Sequence, residues 1–123
     1  MAIAKIAPAP GVFVASFPMK RDTIHSEPVV AWAVAHGHAP ISRYSQLRLW
    51  RKHDIEAGAT MIAERMKLKE VRPAEAVDGD IVVARHPNSE AKIMGIQSED
   101  FVIVAGFGRI FTARCKILRA WRI

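Results

Sequence analysis

The sequence predicts an α+β fold: an extended N-terminal arm, about three helices, and a C-terminal antiparallel sheet of about five strands, forming a meander or half-barrel. The first observation is a change at residues 77–85. Before them apolar residues recur at helical spacing, and after them short runs rich in Val, Ile and Phe alternate with turn residues. The second is that these runs are joined by short connections, which favour antiparallel pairing because parallel strands need long crossovers.

The first 24 residues combine Ala, Pro and a short β-prone run at residues 12–17, without an amphipathic period. They are predicted to form an extended arm, and residues 25–123 a single domain. Aromatic side chains on an isolated arm would be exposed, so they either pack back on the domain or add to the sheet of a neighbouring protein. The predicted partner-binding residues are Val12, Phe13, Val14 and Phe17.

The helical part opens at Ser26-Glu27-Pro28, a helix-start pattern with a capping serine, an acid in the first turn and an early proline. Residues 29–36 are apolar nearly all round, which predicts a buried central helix. Two amphipathic helices are predicted at residues 43–53 and 55–69. The predicted strands are residues 80–85, 91–97, 100–105, 109–113 and 116–122.

Composition excludes several classes of protein. A single cysteine cannot form an intramolecular disulfide or a cysteine-based zinc cluster. No run of about eighteen apolar residues exists, so no membrane span is expected. The first ten residues make a poor signal peptide because two prolines break their apolar run, and synthesis in the cytoplasm is expected. The net charge of +6 suits a nucleic-acid or other acidic partner, but also a solvated surface or a protein contact.

Cys115 is the only thiol, and it opens a predicted strand between Arg114 and Lys116. A reactive cysteine needs a helix N-terminus or a neighbouring imidazolium to lower its pKa. No histidine lies in the same strand. A structural role is therefore predicted for this residue.

The histidines do not predict a metal site. His36 and His38 are one residue apart, and His25, His53 and His86 could supply further ligands. A His-x-His pair binds metal when it lies on a strand, where both rings face one way, but this pair spans a helix end. No metal and no cofactor are predicted.

Two glycine-containing segments have simple interpretations as turns. Asp78 and Asp80 flank Gly79, and such a pair before a strand usually accepts hydrogen bonds from backbone amides instead of serving acid-base chemistry. Residues 106–108 lack the following glycine and helix of a nucleotide-binding loop. A hairpin turn is predicted there.

Aromatic and basic residues interleave at the end of the chain, which leaves two interpretations open. If Phe111 and Trp121 faced solvent, these strands would resemble a platform for single-stranded nucleic acid. If Ile117, Trp121 and Ile123 faced inward, the segment would be a core strand. The basic residues concerned are Arg109, Arg114, Arg119 and Arg122.

The predicted elements come in the order of a buried helix, two further helices, and apolar strands that begin at Gly79-Asp80. Gly95-Ile96 on the next strand and the ending at residues 119–123 complete the pattern. This order resembles a small phage-encoded family of NlpC-like proteins. These belong to the papain-like cysteine-peptidase superfamily, and the similarity covers residues 25–123. The resemblance implies a nucleophilic cysteine at the start of the buried helix and a histidine base at the start of the second strand. The helix start at residues 26–29 contains no cysteine, and the strand at residues 92–96 contains no histidine. The resemblance therefore implies the scaffold without its activity, and no catalytic residue is predicted.

The expected function is that of a non-enzymatic phage virion protein at the tail tip or neck, contacting the tail hub or adjacent tail subunits. Its expected location is the virion. One alternative is an NlpC-like cell-wall peptidase with a non-standard site, using Cys115 with His36 or His86. The other is a basic nucleic-acid-binding module that uses the C-terminal strands.

Overall fold

The computed structural model of the chain describes residues 9–106 and 108–123. Within them the chain has an α+β fold, which confirms the predicted fold class. The helices are α1 (Pro10–Ser16), α2 (Ser26–Ala35), α3 (Arg43–Lys52) and α4 (Ile55–Arg65), with a 3-10 turn at Pro73–Glu75. The strands are β1 (Lys69–Val71), β2 (Ile81–Arg85), β3 (Lys92–Ser98), β4 (Phe101–Gly106), β5 (Arg109–Ala113) and β6 (Lys116–Arg122). None of the helices described is long and apolar enough to cross a membrane.

The six strands form one open antiparallel sheet in the order β1-β6-β2-β3-β4-β5. Strands β2 to β5 are the predicted meander. The prediction of five strands in a simple meander is wrong in two respects. Strand β6 returns to pair with β2, and β1 adds a sixth strand beside β6.

This topology requires the sheet to curl. Only two residues, Arg114 and Cys115, join β5 to β6, and the three Cα–Cα steps between the strand ends reach about 11 Å. In a flat sheet of this order β5 and β6 would lie four strand spacings apart, about 19 Å. The sheet therefore bends until the ends of β5 and β6 come together, leaving β1 and β5 as its edges.

Helix α2 is the buried central helix, as predicted. Val29, Val30, Trp32 and Ala33 belong to the main core, which also contains side chains of β2, β3, β4 and β6. The Trp32 indole Nε1 donates a hydrogen bond of 2.8 Å to the Gly79 carbonyl, which ties α2 to the turn before β2. A polar atom inside the core is thereby satisfied.

The predicted third helix is too long at its end. Helix α4 stops at Arg65 because Lys67 takes a left-handed backbone conformation with φ of 58°. The amide of Lys67 then donates to Glu64 O, and that of Leu68 donates to Ala63 O. These two bonds form a Schellman motif, a helix end that usually carries glycine. The chain turns out of the helix and residues 69–71 become β1.

The N-terminal segment is not an extended arm over the residues described. Residues 10–16 form helix α1, which starts at Pro10, where the fixed φ of proline suits the first turn. Val14 is buried in the main core, and the ring of Phe13 meets Trp32 edge to face at 5.3 Å. Core packing has overridden the β propensity of residues 12–17. Residues 1–8 of the predicted arm lie outside the described residues.

Candidate functional site

A cleft of about 360 Å³ opens between the start of α2 and the region where β3 and β4 separate; we call it the β3–β4 cleft. Its size is at the lower end of the range for small-molecule pockets. Most of its lining is apolar, with three basic side chains. The lining residues are His25, Ile55, Lys92, Ile93, Met94, Val104, Ala105, Arg109 and Phe111.

Gly95 lies where the pairing of β3 with β4 ends. Strands β3 and β4 pair from Ser98 to Ile96, while β3 before Gly95 pairs only with β2. A Cβ at position 95 would lie 2.3 Å from the Ile103 carbonyl oxygen, so only glycine permits this close approach. The two strands touch at Gly95 and diverge beyond it, which leaves the space that forms the cleft.

The titratable side chains of the β3–β4 cleft are two cations and one imidazole. His25 packs against Trp50 with ring centroids 4.5 Å apart, and its buried Nε2 has no hydrogen-bond partner. Burial lowers the pKa of His25, so its ring is neutral at neutral pH. Lys92 is paired with Glu56 at 2.7 Å. Among the described residues, no thiol, hydroxyl or carboxylate lines this cleft.

The start of α2, where the resemblance implies a nucleophile, holds a structural network. The Ser26 hydroxyl donates a 2.6 Å hydrogen bond to Gln46 and accepts one of 2.9 Å from the indole of Trp50. Ser26 is fully buried, so no substrate can reach its oxygen. The predicted capping role of Ser26 is also wrong, because the side chain that binds a free amide is Glu27, which accepts from Ile24 N.

Cys115 is partly buried, and its structural role stays a prediction. It packs with a second core cluster that contains no residue from an α-helix, and its Sγ donates to the Ala113 carbonyl at 3.5 Å. Burial raises the pKa of the Cys115 thiol, which is the opposite of what a nucleophile needs. The histidines of the peptidase alternative are engaged elsewhere. His36 Nδ1 bonds the Trp32 carbonyl, and His86 Nδ1 accepts from Asn88 N.

His36 and His38 are close in sequence, but their rings are bonded to different parts of the fold. His36 bonds a carbonyl of its own helix, whereas His38 Nδ1 lies 3.1 Å from the carbonyl of Met66 at the end of α4. Across residues 9–106 and 108–123, no three His, Cys, Asp or Glu side chains are placed to hold a metal ion.

The Asp78-Gly79-Asp80 segment is the predicted turn. Gly79 has φ of 91°. The buried carboxylate of Asp80 accepts from Val77 N at 2.9 Å and from Arg122 at 3.1 Å. Asp78 accepts from the amide of Glu99. Both acids therefore brace the backbone around the start of β2. Of the hairpin predicted at residues 106–108, Phe107 lies outside the described residues.

The C-terminal strand is a core strand and not a stacking platform. Trp121 is buried. Arg119 forms a two-pronged ion pair with Glu70 at 2.7 and 2.9 Å, and Arg122 is bound by Asp80. The buried aromatic ring and the two neutralised cations remove most of the surface that single-stranded nucleic acid would need.

Strand β5 differs from β6 because it is an edge of the sheet with exposed apolar side chains. Ile110 and Phe111 are 45% and 41% exposed, and Phe101 on the neighbouring strand is 39% exposed. Phe111 also lines the β3–β4 cleft. We call Ile110, Phe111 and the free backbone of β5 the β5 edge. The sequence carried little signal for it, since Ile and Phe on a strand usually face the core.

The predicted partner-binding residues lie on or just after α1, and none of them is among the residues that line the β3–β4 cleft. Val14 is buried and Phe13 packs against Trp32, so their apolar surface is covered by their own domain. Val12 is 59% exposed and Phe17 is half-buried.

In comparisons with known proteins, no family model, curated protein or solved structure matches this chain. The NlpC-like assignment, which the sequence motifs suggest, therefore stays a prediction.

Proposed function

We propose that this chain is a non-enzymatic structural protein of a phage virion that docks tail-hub or adjacent tail proteins at the tail tip or neck. The observation that carries the proposal is the chemistry of the β3–β4 cleft. It has the space of a binding site, but the described residues that line it offer no thiol, hydroxyl or carboxylate, and the Cys115 thiol has a raised pKa. Such a site supports binding without hydrolysis.

The β5 edge supplies the docking surface. An edge strand exposes unpaired backbone groups that accept a further strand, and natural proteins usually protect such edges with charges or prolines. Residues 110–113 of β5 contain neither, and two of their side chains are exposed hydrophobics. An extended apolar segment of a neighbouring tail protein would pair with β5 and place a side chain in the β3–β4 cleft beside Phe111.

This proposal moves the docking surface away from the N-terminal residues. Because Phe13 and Val14 already pack on their own domain, they offer no apolar surface to a partner unless α1 detaches. Detaching α1 would expose Val14 and one face of Trp32, which costs about 3 kcal/mol at the usual stabilisation per buried side chain. The β5 edge offers comparable apolar surface without that cost.

The test is complementation of a phage that lacks this gene with plasmid-encoded variants. The double substitution Ile110→Asp and Phe111→Asp places two charges on the β5 edge, and we expect a fall in infectious titre of at least a hundredfold with incomplete particles in electron micrographs. Val12→Asp is the matched control, since Val12 is more exposed than either residue but lies on α1. Both variants should melt near the wild-type temperature. A normal titre for the double variant would refute docking through β5.

The peptidase alternative is tested separately. Purified protein and its Cys115→Ala variant are incubated with peptidoglycan, and released peptides are quantified by mass spectrometry. We expect no release from either protein. Cleavage by the wild type that the substitution abolishes would overturn the non-enzymatic proposal.

A further inference from the structure

A second surface, distinct from the β5 edge, lies between α3 and α4. These helices form a hairpin joined by two residues, and a groove of about 250 Å³ runs between them. We call it the α3–α4 groove. Its polar lining residues are Ser45, Arg48, Lys52, His53 and Arg65, and its apolar ones are Leu49 and Met61.

The cations of the α3–α4 groove have no acidic partners among the residues described. Arg48, Lys52 and Arg65 form no salt bridge there. Asp54, two residues after Lys52, uses its carboxylate to accept from Ala57 N at the start of α4. Glu64, next to Arg65 in sequence, forms no salt bridge among the described residues. By contrast, five other cations are neutralised by acids: Arg43, Arg72, Lys92, Arg119 and Arg122. Three cations without a salt bridge among the described residues therefore line this groove together.

The spacing of these groups suits a row of phosphates. Arg48 and Lys52 are four residues apart on one helix face, about 6 Å along the axis. That distance is close to about 7 Å, twice the rise per phosphate along one nucleic-acid strand, so Arg48 and Lys52 would meet alternate phosphates of that strand. Ser45 extends the same row by a turn and offers a hydroxyl. Arg65 contributes a cation from the opposite wall.

Helix dipoles explain the positions of two of the three groove cations. Lys52 and Arg65 lie in the last turns of α3 and α4, where a cation is favoured by the negative helix pole. Arg48 lies in the middle of α3 and gains nothing there from the dipole. Its guanidinium stands over the ring of Tyr44 at 5.8 Å, which holds it at the surface.

We propose that the α3–α4 groove binds the phosphate backbone of a nucleic-acid duplex. A duplex is favoured over a single strand because no Phe, Tyr or Trp is among the described residues that line the groove, and single-strand sites depend mainly on bases stacked on such rings. The net charge of +6 adds long-range attraction to a polyanion. Without groups that read base edges, binding is independent of sequence.

The test is fluorescence anisotropy of a labelled 20-base-pair DNA duplex with the full chain between 50 and 200 mM KCl. Three phosphate contacts give a slope of about −2.7 for log K against log salt, so affinity should fall about 40-fold over this range. Each of Arg48→Gln, Lys52→Gln and Arg65→Gln should reduce the slope by about 1. The triple variant should lose nearly all binding while keeping the wild-type circular dichroism spectrum.

The matched control is the triple variant Arg85→Gln, Arg114→Gln, Lys116→Gln. It also removes two arginines and one lysine, but they line a different surface cavity. Its net charge therefore equals that of the groove variant. We expect it to retain most of the binding. Three outcomes would overturn the proposal: no wild-type binding at 50 mM salt, equal losses in both triple variants, or equally tight binding of polyglutamate, which would indicate an acidic protein partner.

Discussion

Gly95→Ala is the sharpest test of the geometry that opens the β3–β4 cleft. The added methyl carbon would lie 2.3 Å from the Ile103 carbonyl oxygen and 2.7 Å from a methyl of Val102. Ordinary contacts begin near 3.4 Å, so β4 must move by about 1 Å or its pairing with β3 must break. A backbone carbonyl in a paired strand cannot rotate away as a flexible side chain can.

The size of the effect follows from two opposing contributions. We take the cost of overpacking as about 3 kcal/mol in free energy of unfolding, the upper end of the usual range, because the clash is with backbone atoms. Alanine lowers the entropy of the unfolded chain, which returns about 0.7 kcal/mol. The net loss is about 2 kcal/mol. For a chain of 123 residues, the unfolding entropy is such that a loss of 1 kcal/mol in stability lowers the melting temperature by about 4 °C. The variant should therefore melt about 8 °C below wild type.

Gly11→Ala is the matched control, because it makes the same chemical change in the opposite setting. Gly11 is an exposed residue of α1, and among the described residues an added methyl would meet Ile103 Cδ1 alone, at an ordinary 3.7 Å. Helix propensity should then raise stability by about 0.5 kcal/mol, or about 2 °C. Both are measured by circular dichroism melting. If Gly95→Ala melts within 2 °C of wild type, the close approach of β3 and β4 is refuted.

Three further predictions concern named contacts. Trp32→Phe leaves the Gly79 carbonyl without its donor, so the free energy of unfolding in urea should fall by about 2 kcal/mol; an unchanged midpoint would argue against that bond. Arg119 lowers the pKa of Glu70 below its ordinary 4.5, so this pair stabilises the fold above that pH and less as the pH falls through the lowered pKa. The melting-temperature gap between wild type and Glu70→Gln, small because the pair is half exposed, should therefore close in acid, and a constant gap would contradict the assignment. Because burial raises the pKa of Cys115, its reaction with an aromatic disulfide reagent at pH 8 should be at least tenfold slower in the folded protein than in urea, and equal rates would show an accessible thiolate.

The elements that the sequence predicted correctly are those set by local chemistry. Residues 29–36 were assigned to a buried helix because they are apolar on every side, and the helix ends as expected at Gly37, which adopts φ of 94°. The Asp78-Gly79-Asp80 turn was assigned because short acids next to glycine favour that geometry.

The errors arose where distant parts of the chain decide local structure. Helix α4 ends like α2 in a Schellman motif, but the left-handed position is held by Lys67 instead of glycine, so the sequence carried no stop signal there. Residues 10–16 have β propensity, yet they form a helix because Val14 finds a place in the core. The docking surface predicted on these residues is largely covered for the same reason.

The amino-acid sequence by itself determined the α+β class, the central helix, the antiparallel pairing of β2 to β5 and the excess of positive charge. Periodicity, turn residues and charge act over a few positions or over the whole composition, so they can be read without coordinates. Only the tertiary structure decided that β6 returns to β2, that Gly95 opens a cleft, and which cations stay unpaired. Each of these depends on contacts between residues far apart in the chain, and such contacts leave no periodic trace in the order of amino acids.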